Sequence, residues 1–247
     1  MFKYEAPNNL LENKIILVTG AGSGIGRAAA LAYARSGATV ILLGKTVSKL
    51  EAVYDEIEVA GYPEAVITPV DLETIGDPQY QELVEGIHKE FGRLDGLLNN
   101  AGYMGPLMPF QTMTLEHWQK ILQINLNAGF AMTRYCFPLL QEALNPSVIF
   151  SSSTAGRQPF AYSSAYTVAK HGIETLTQVL FLELENTSSI RVNTVNPGPC
   201  ASALRRAAYP GEDPATLPQP EDLMDVYLYL MGKDSLDENG KQFSAQE

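Results

Sequence analysis

Short apolar runs alternate with longer amphipathic stretches along the whole chain. "KIILVTG" (14–20), "ATVILLG" (38–44), "AVITPVD" (65–71), "RLDGLLNN" (93–100), "SVIFSSS" (147–153) and "IRVNTVNPG" (190–198) are short, β-branched and bounded by Gly, Asp or Asn. That pattern predicts strands. Their apolar residues run almost continuously rather than alternating, as in parallel strands covered on both faces. Helical periodicity fills the intervals at 24–36, 46–60, 77–91, 114–142, 161–185 and 221–232. Gly37, Gly61 and Gly92 stand where the first three helices should stop. A short last strand is expected at 241–245. The alternation continues without repeat or linker. It predicts one α/β domain over 1–247, a doubly wound, mostly parallel sheet of about seven strands with helices on both faces. "YPGEDPATLPQP" (209–220) reads as a long loop, and 199–220 as a whole is expected to form a substrate lid.

Bulk properties narrow the function. A chain of 247 residues, 45% hydrophobic, can bury a sizeable core. A net charge of −11 argues against nucleic acid and anionic membrane as partners. Cys136 and Cys200 give neither a disulfide framework nor a metal spacing, and they fit a reducing compartment. His88, His117 and His171 are scattered, so no metal site is expected. The opening "MFKYEAPNNLLENK" lacks the apolar core of a signal peptide. A cytoplasmic location is therefore expected.

The first strand runs straight into "TGAGSGIGR" (19–27), with Gly20, Gly22, Gly24 and Gly26. Glycines that end a strand and open a helix allow a tight turn and a close approach of pyrophosphate to the backbone. The helix start adds free N–H groups and the positive end of its dipole. A P-loop is excluded, because Arg27 stands where that motif needs Lys. The second strand ends "LLGKTVSKL". In an NAD-binding Rossmann unit an acidic residue there receives the adenosine ribose. Here Gly44 fills that slot and Lys45 follows. A Gly leaves room for an extra phosphate and a Lys attracts it, so NADP(H) is expected over NAD(H), with Lys45 and Thr46 at the 2′-phosphate.

"SSAYTVAK" (163–170) places Tyr166 four residues before Lys170. On a helix the two lie on one face. They follow the fifth strand, whose carboxyl end should border the same crevice. Ser153 lies thirteen residues before Tyr166.

With these residues in order, the chain resembles the short-chain dehydrogenases/reductases of the single-domain Rossmann kind, over about residues 12 to 240. "TGAGSGIG", "NNAG" (99–102), "INLN", the Ser and YxxxK set, and "NPG" (196–198) carry the resemblance. More narrowly, "ILLGK", "SSSTAGRQ", "YPGEDP" and "LYLMG" resemble the YciK-type group of bacterial oxidoreductases. The resemblance implies that Asn125, Ser153, Tyr166 and Lys170 are catalytic. It implies a cofactor held by Gly20, Ser23, Gly24, Ile25, Gly26, Asp71, Leu72, Asn100, Ala101, Gly102, Tyr166, Lys170, Pro197, Gly198 and Ser202. Tyr166 would exchange a proton with a small-molecule carbonyl or alcohol, and Ser153 would bind its oxygen. Asn125 would hold a water leading to Lys170. Lys170 would lower the Tyr166 pKa and hold the nicotinamide ribose.

Neighbouring residues compete for these roles. Ser152 competes with Ser153, but the spacing to Tyr166 favours Ser153. Tyr162 has no Lys four residues on. Asn127 competes with Asn125, which the family register favours. His171 reads as structural. Two departures stand out: Ser202 replaces the family's usual Thr, and the Gly-rich ending is absent. A homodimer is thus as expected as a homotetramer, paired through the helices at 114–142 and 161–185. Two alternatives remain: an NAD-dependent alcohol dehydrogenase, and a nucleotide-sensing protein without turnover. The apolar loops 102–110 and 156–162 would border the substrate; Arg205 or Arg206 in the lid would meet an anionic group on the substrate or the cofactor phosphates, the alternative being that both are solvated surface residues.

Overall fold

The computed structural model describes residues 1–246. Seven strands form one sheet: β1 (Ile15–Thr19), β2 (Thr39–Gly44), β3 (Val66–Pro69), β4 (Gly96–Asn99), β5 (Ser147–Ser151), β6 (Arg191–Asn196) and β7 (Gln242–Ser244). Their order is β3-β2-β1-β4-β5-β6-β7. Every neighbouring pair is parallel. The order reverses between β1 and β4, and that is where a crevice opens at the carboxyl ends of an α/β sheet.

The continuous apolar runs are explained by the two faces. Ile16, Val18, Val40 and Leu42 point to one core, shared with α1 (Gly24–Arg35), α2 (Val47–Val59) and α8 (Met224–Met231). Leu17, Ile41, Leu43 and Leu97 point to the other, shared with α3 (Asp77–Phe91), α5 (Ala128–Gln141) and α6 (Ser164–Leu184). Successive strand residues thus serve opposite layers. The alanines of α1, Ala28, Ala29, Ala30, Ala32 and Ala34, are all buried, and their small side chains let that helix lie close to the sheet. No helix among the described residues is long and apolar enough to cross a membrane.

The boundaries differ from the sequence reading at functional places. The long helix expected over 114–142 is broken into α4 (Leu115–Leu122), a π-helical turn (Gln123–Asn127) and α5. Such single π turns are often found at functional sites. The helix expected from 161 begins at Ser164, because Tyr162 has φ 66° and lies outside the helical region. The segment 199–220 is not plain loop. It contains α7 (Ala203–Ala208) and a 3₁₀ turn, Pro214–Thr216. Ser202 caps α7 by accepting a hydrogen bond from the Arg205 N–H at 3.2 Å.

Candidate active site

The crevice at the switch point is a cleft of 650 Å³. Its floor is locked by Thr19. The Thr19 hydroxyl accepts the N–H groups of Asn100 (2.9 Å) and Ala101 (3.0 Å) and donates to the Leu98 carbonyl (3.3 Å). This ties the end of β1 to the end of β4. The glycine turn then enters α1 with Ser23 at the cap position. The Ser23 side chain makes no capping hydrogen bond, and Ser23, Gly24 and Ile25 line the cleft. Gly26 has a different role from its neighbours. It does not line the cleft. A Cβ there would collide with the Gly20 carbonyl and the Asn100 amide, so Gly26 lets α1 pack against the turn.

At the adenosine end, Gly44, Lys45, Thr46, Asp71 and Leu72 line the cleft together. Lys45 and Thr46 are exposed. One Asp71 carboxylate oxygen accepts the Glu73 N–H at 3.0 Å, which fixes the side chain in a turn. Lys49 joins Lys45 at the same rim. Sequence reasoning passed over Lys49, although it stands only four residues after Lys45, in the first turn of α2. Neither lysine has a carboxylate partner among the described residues.

At the chemical end, Ser153, Tyr166 and Lys170 meet in the cleft wall. Ser153 has extended backbone, and its hydroxyl accepts the Ala155 N–H at 3.2 Å. The Ser152 hydroxyl is buried with no hydrogen-bond partner among the described residues. Tyr166 and Lys170 are both buried, 7% and 4% exposed. The Lys170 ammonium donates to the Ser151 carbonyl at 2.7 Å and lies 5.6 Å from the Tyr166 ring centroid.

Burial dominates both titrations. It pushes the Tyr166 phenol up to about 12, with a hydrogen bond from Ser153 pulling the other way. It pushes Lys170 down to about 8, against the opposing pull of Glu174. The expectation that Lys170 lowers the Tyr166 pKa is therefore corrected for this structure. The ammonium faces a backbone carbonyl and the ring, and burial is the largest influence on the phenol. A phenol in this state stays protonated at neutral pH.

Asn125 sits in the π turn. Its amide donates to the carbonyls of Ile121 (2.8 Å) and Tyr103 (2.6 Å), and its oxygen accepts the Tyr103 N–H at 3.2 Å. The side chain is spent on pinning the loop after β4. A small internal hollow connects Asn125, Ser151 and Lys170. Asn127 is exposed and bonds Gln123 instead. His171 meets the Thr167 carbonyl at 3.0 Å.

Pro197, Gly198 and Ser202 line the cleft where β6 leads into the lid. Gly198 has φ 70°, and the Gln246 side chain lies against it. Gln246 donates to the carbonyls of Pro197 (2.7 Å) and Pro199 (2.6 Å). No local signal in the sequence points to Gln246, because its partners lie across the fold. Arg205 faces the cleft but is gripped by Glu212, at 2.7 and 2.8 Å. Arg206 is exposed and outside the lining. No cluster of three or more His, Cys, Asp or Glu able to hold a metal occurs among the described residues.

The parallel sheet, the glycine turn and the Ser–Tyr–Lys wall define a class of protein. The family model for short chain dehydrogenases matches residues 14–213, and the chain belongs to that family. It is an oxidoreductase of the kind that acts on alcohol or carbonyl groups. It is similar to the uncharacterized oxidoreductase YciK of Escherichia coli K12, with 43% identity over 98% of this chain and 96% of the relative. A solved short chain dehydrogenase from Pseudomonas syringae is 46% identical, with a TM-score of 0.98 over 100% of both chains. One from Shigella flexneri, complexed with NADP, is 44% identical, with a TM-score of 0.92 over 98% of this chain and 100% of the other.

Proposed function

We propose that the protein is an NADP(H)-dependent carbonyl reductase, run in reverse as an alcohol dehydrogenase, with Tyr166 as the acid. The observation that carries this reading is the cleft wall itself. The phenol of Tyr166, the hydroxyl of Ser153 and the ammonium of Lys170 converge there at the end of a dinucleotide-sized cleft.

The residues fit a nicotinamide dinucleotide. The open start of α1 suits a pyrophosphate. Gly44 withholds the carboxylate that would repel a 2′-phosphate, and Lys45, Thr46 and Lys49 offer it a charge and a hydroxyl. When bound, the reduced cofactor supplies hydride to the carbonyl carbon. Ser153 donates a hydrogen bond to the carbonyl oxygen as negative charge grows on it. Tyr166, protonated at neutral pH, gives that oxygen its proton. Lys170 holds a positive charge beneath the ring, and Asn125 fixes the loop that roofs the site. The NADP-bound Shigella relative supports the choice of cofactor.

Two further expectations carry over as part of the proposal. Cys136 and Cys200 are both buried and unpaired, which suits the cytoplasm. Phe130 on α5 and Val168, Val179 and Leu182 on α6 expose apolar surface, which suits pairing with a second copy. The test of the main reading is twofold: equilibrium binding of NADPH and NADH, then NADPH oxidation against a broad panel of ketones and aldehydes. Tight NADPH binding with turnover of at least one carbonyl class is expected. Binding without any turnover would leave the nucleotide-sensing alternative standing.

A further inference from the structure

The charges around the cleft are unevenly committed. Five basic side chains line it: Lys45, Lys49, Lys120, Lys170 and Arg205. Lys45 and Lys49, at the adenosine end, have no ion-pair partner among the described residues. At the chemical end every cation is engaged. Lys120 pairs with Glu73 at 2.7 Å and stands 5.1 Å from the Tyr103 ring centroid. Lys170 is bound to the Ser151 carbonyl. Arg205 gives two parallel hydrogen bonds to Glu212 and stacks 3.7 Å from the Tyr209 ring centroid.

Arg205 is the telling case. Arg205 and Tyr209 line the same cleft as Tyr166. A guanidinium fork facing a cleft is well suited to bind a carboxylate or phosphate on a ligand. Here Glu212 already fills that fork, and the guanidinium holds the Glu212 carboxyl below its ordinary value. The clip is closed locally: the Tyr209 N–H donates to the Arg205 carbonyl and the Glu212 N–H to the Tyr209 carbonyl. The remaining walls, Tyr103, Met104, Phe160 and Leu204, carry no charge. An anion brought to Tyr166 would lose its water and meet no exposed free cation, since Lys170 is buried against the Ser151 carbonyl.

We propose that the enzyme selects uncharged carbonyl substrates, and that Glu212 enforces this choice by occupying Arg205. The proposal rests on the carbonyl-reductase reading above. Glu212 touches neither cofactor nor reacting atoms in that reading. Its side chain is 28% exposed, so its removal leaves the core intact.

The test uses the whole chain, saturating NADPH and a size-matched probe pair at pH 7: methyl 4-oxocyclohexanecarboxylate and the free 4-oxocyclohexanecarboxylate. Wild-type kcat/KM should favour the ester by about tenfold or more. In Glu212→Ala the carboxylate's kcat/KM should rise about tenfold while the ester's stays within about twofold. Glu212→Gln should move the same way by less. The gain should vanish in the double variant Glu212→Ala/Arg205→Met. A wild type that prefers the carboxylate, or Glu212 variants with an unchanged carboxylate-to-ester ratio, would overturn the proposal. A change confined to the KM for NADPH would overturn it too, by placing Arg205 on the cofactor's phosphates. If NADPH binds but neither probe nor any other ketone turns over, the reductase reading fails, and this inference falls with it.

Discussion

The two ends of the cleft are built by different means. The dinucleotide end is mostly backbone: a glycine turn, a helix start and two strand ends, tied by the Thr19 hydroxyl. The chemical end is mostly side chains, drawn from α6, the loop after β5, the loop after β4 and the lid. Backbone geometry is fixed by short stretches of consecutive residues. Side-chain geometry depends on which distant segments meet. The first end can therefore bind a shared cofactor in many proteins of the family, while the second can diverge with the substrate.

That contrast can be broken at either end. The largest effect is expected at the chemical end, from Lys170→Met. Turnover should fall by about 10² or more, the usual scale for a group acting in proton transfer. The sign of the accompanying pH effect follows from burial, which lowers Lys170 to about 8. Its ammonium is present below that pH and is lost as pH rises through it. Wild-type reduction at saturating NADPH should therefore decline above about pH 8, and Lys170→Met should show no such limb. A wild-type profile that stays flat to pH 10 would remove Lys170 from the reaction.

At the other end, Lys45→Glu with Lys49→Glu should weaken NADPH binding by about tenfold to a hundredfold and leave NADH nearly unchanged. Isothermal titration of both cofactors measures this. An equal loss for both would mean that the pair does not read the extra phosphate. The smallest effect sharpens the boundary between the two ends. Gln246→Leu frees the Pro197 and Pro199 carbonyls. It should raise the KM for NADPH by about threefold, the loss of a modest net hydrogen bond, and speed proteolysis between 202 and 220. Unchanged proteolysis would show that Gln246 does not anchor the lid.

The strands were legible because each is a compact apolar run closed by Gly, Asp or Asn. The break at Gln123–Asn127 was not, since "QINLN" keeps the helical period and only its packing against Tyr103 reveals the π turn. α7 left a usable signal, Ser202 followed by "ALRRAA", a cap before good helix formers. Tyr166 and Lys170 were readable from a single helical turn, but their titration was not. Spacing shows that two groups are neighbours; it does not show how deeply they are buried. The Arg205–Glu212 clip was equally hidden, because the two residues lie seven apart across a turn.

The central claim is that Tyr166 delivers the proton to a carbonyl while the dinucleotide end binds NADPH independently. Single-turnover NADPH oxidation by Tyr166→Phe, with the NADPH Kd measured on the same preparation, tests it most directly. The account predicts a Kd within about twofold of wild type and a rate lower by 10² or more, on the scale of about 10²–10⁴ for a lost general acid. A variant that keeps more than about a tenth of the wild-type rate would contradict it.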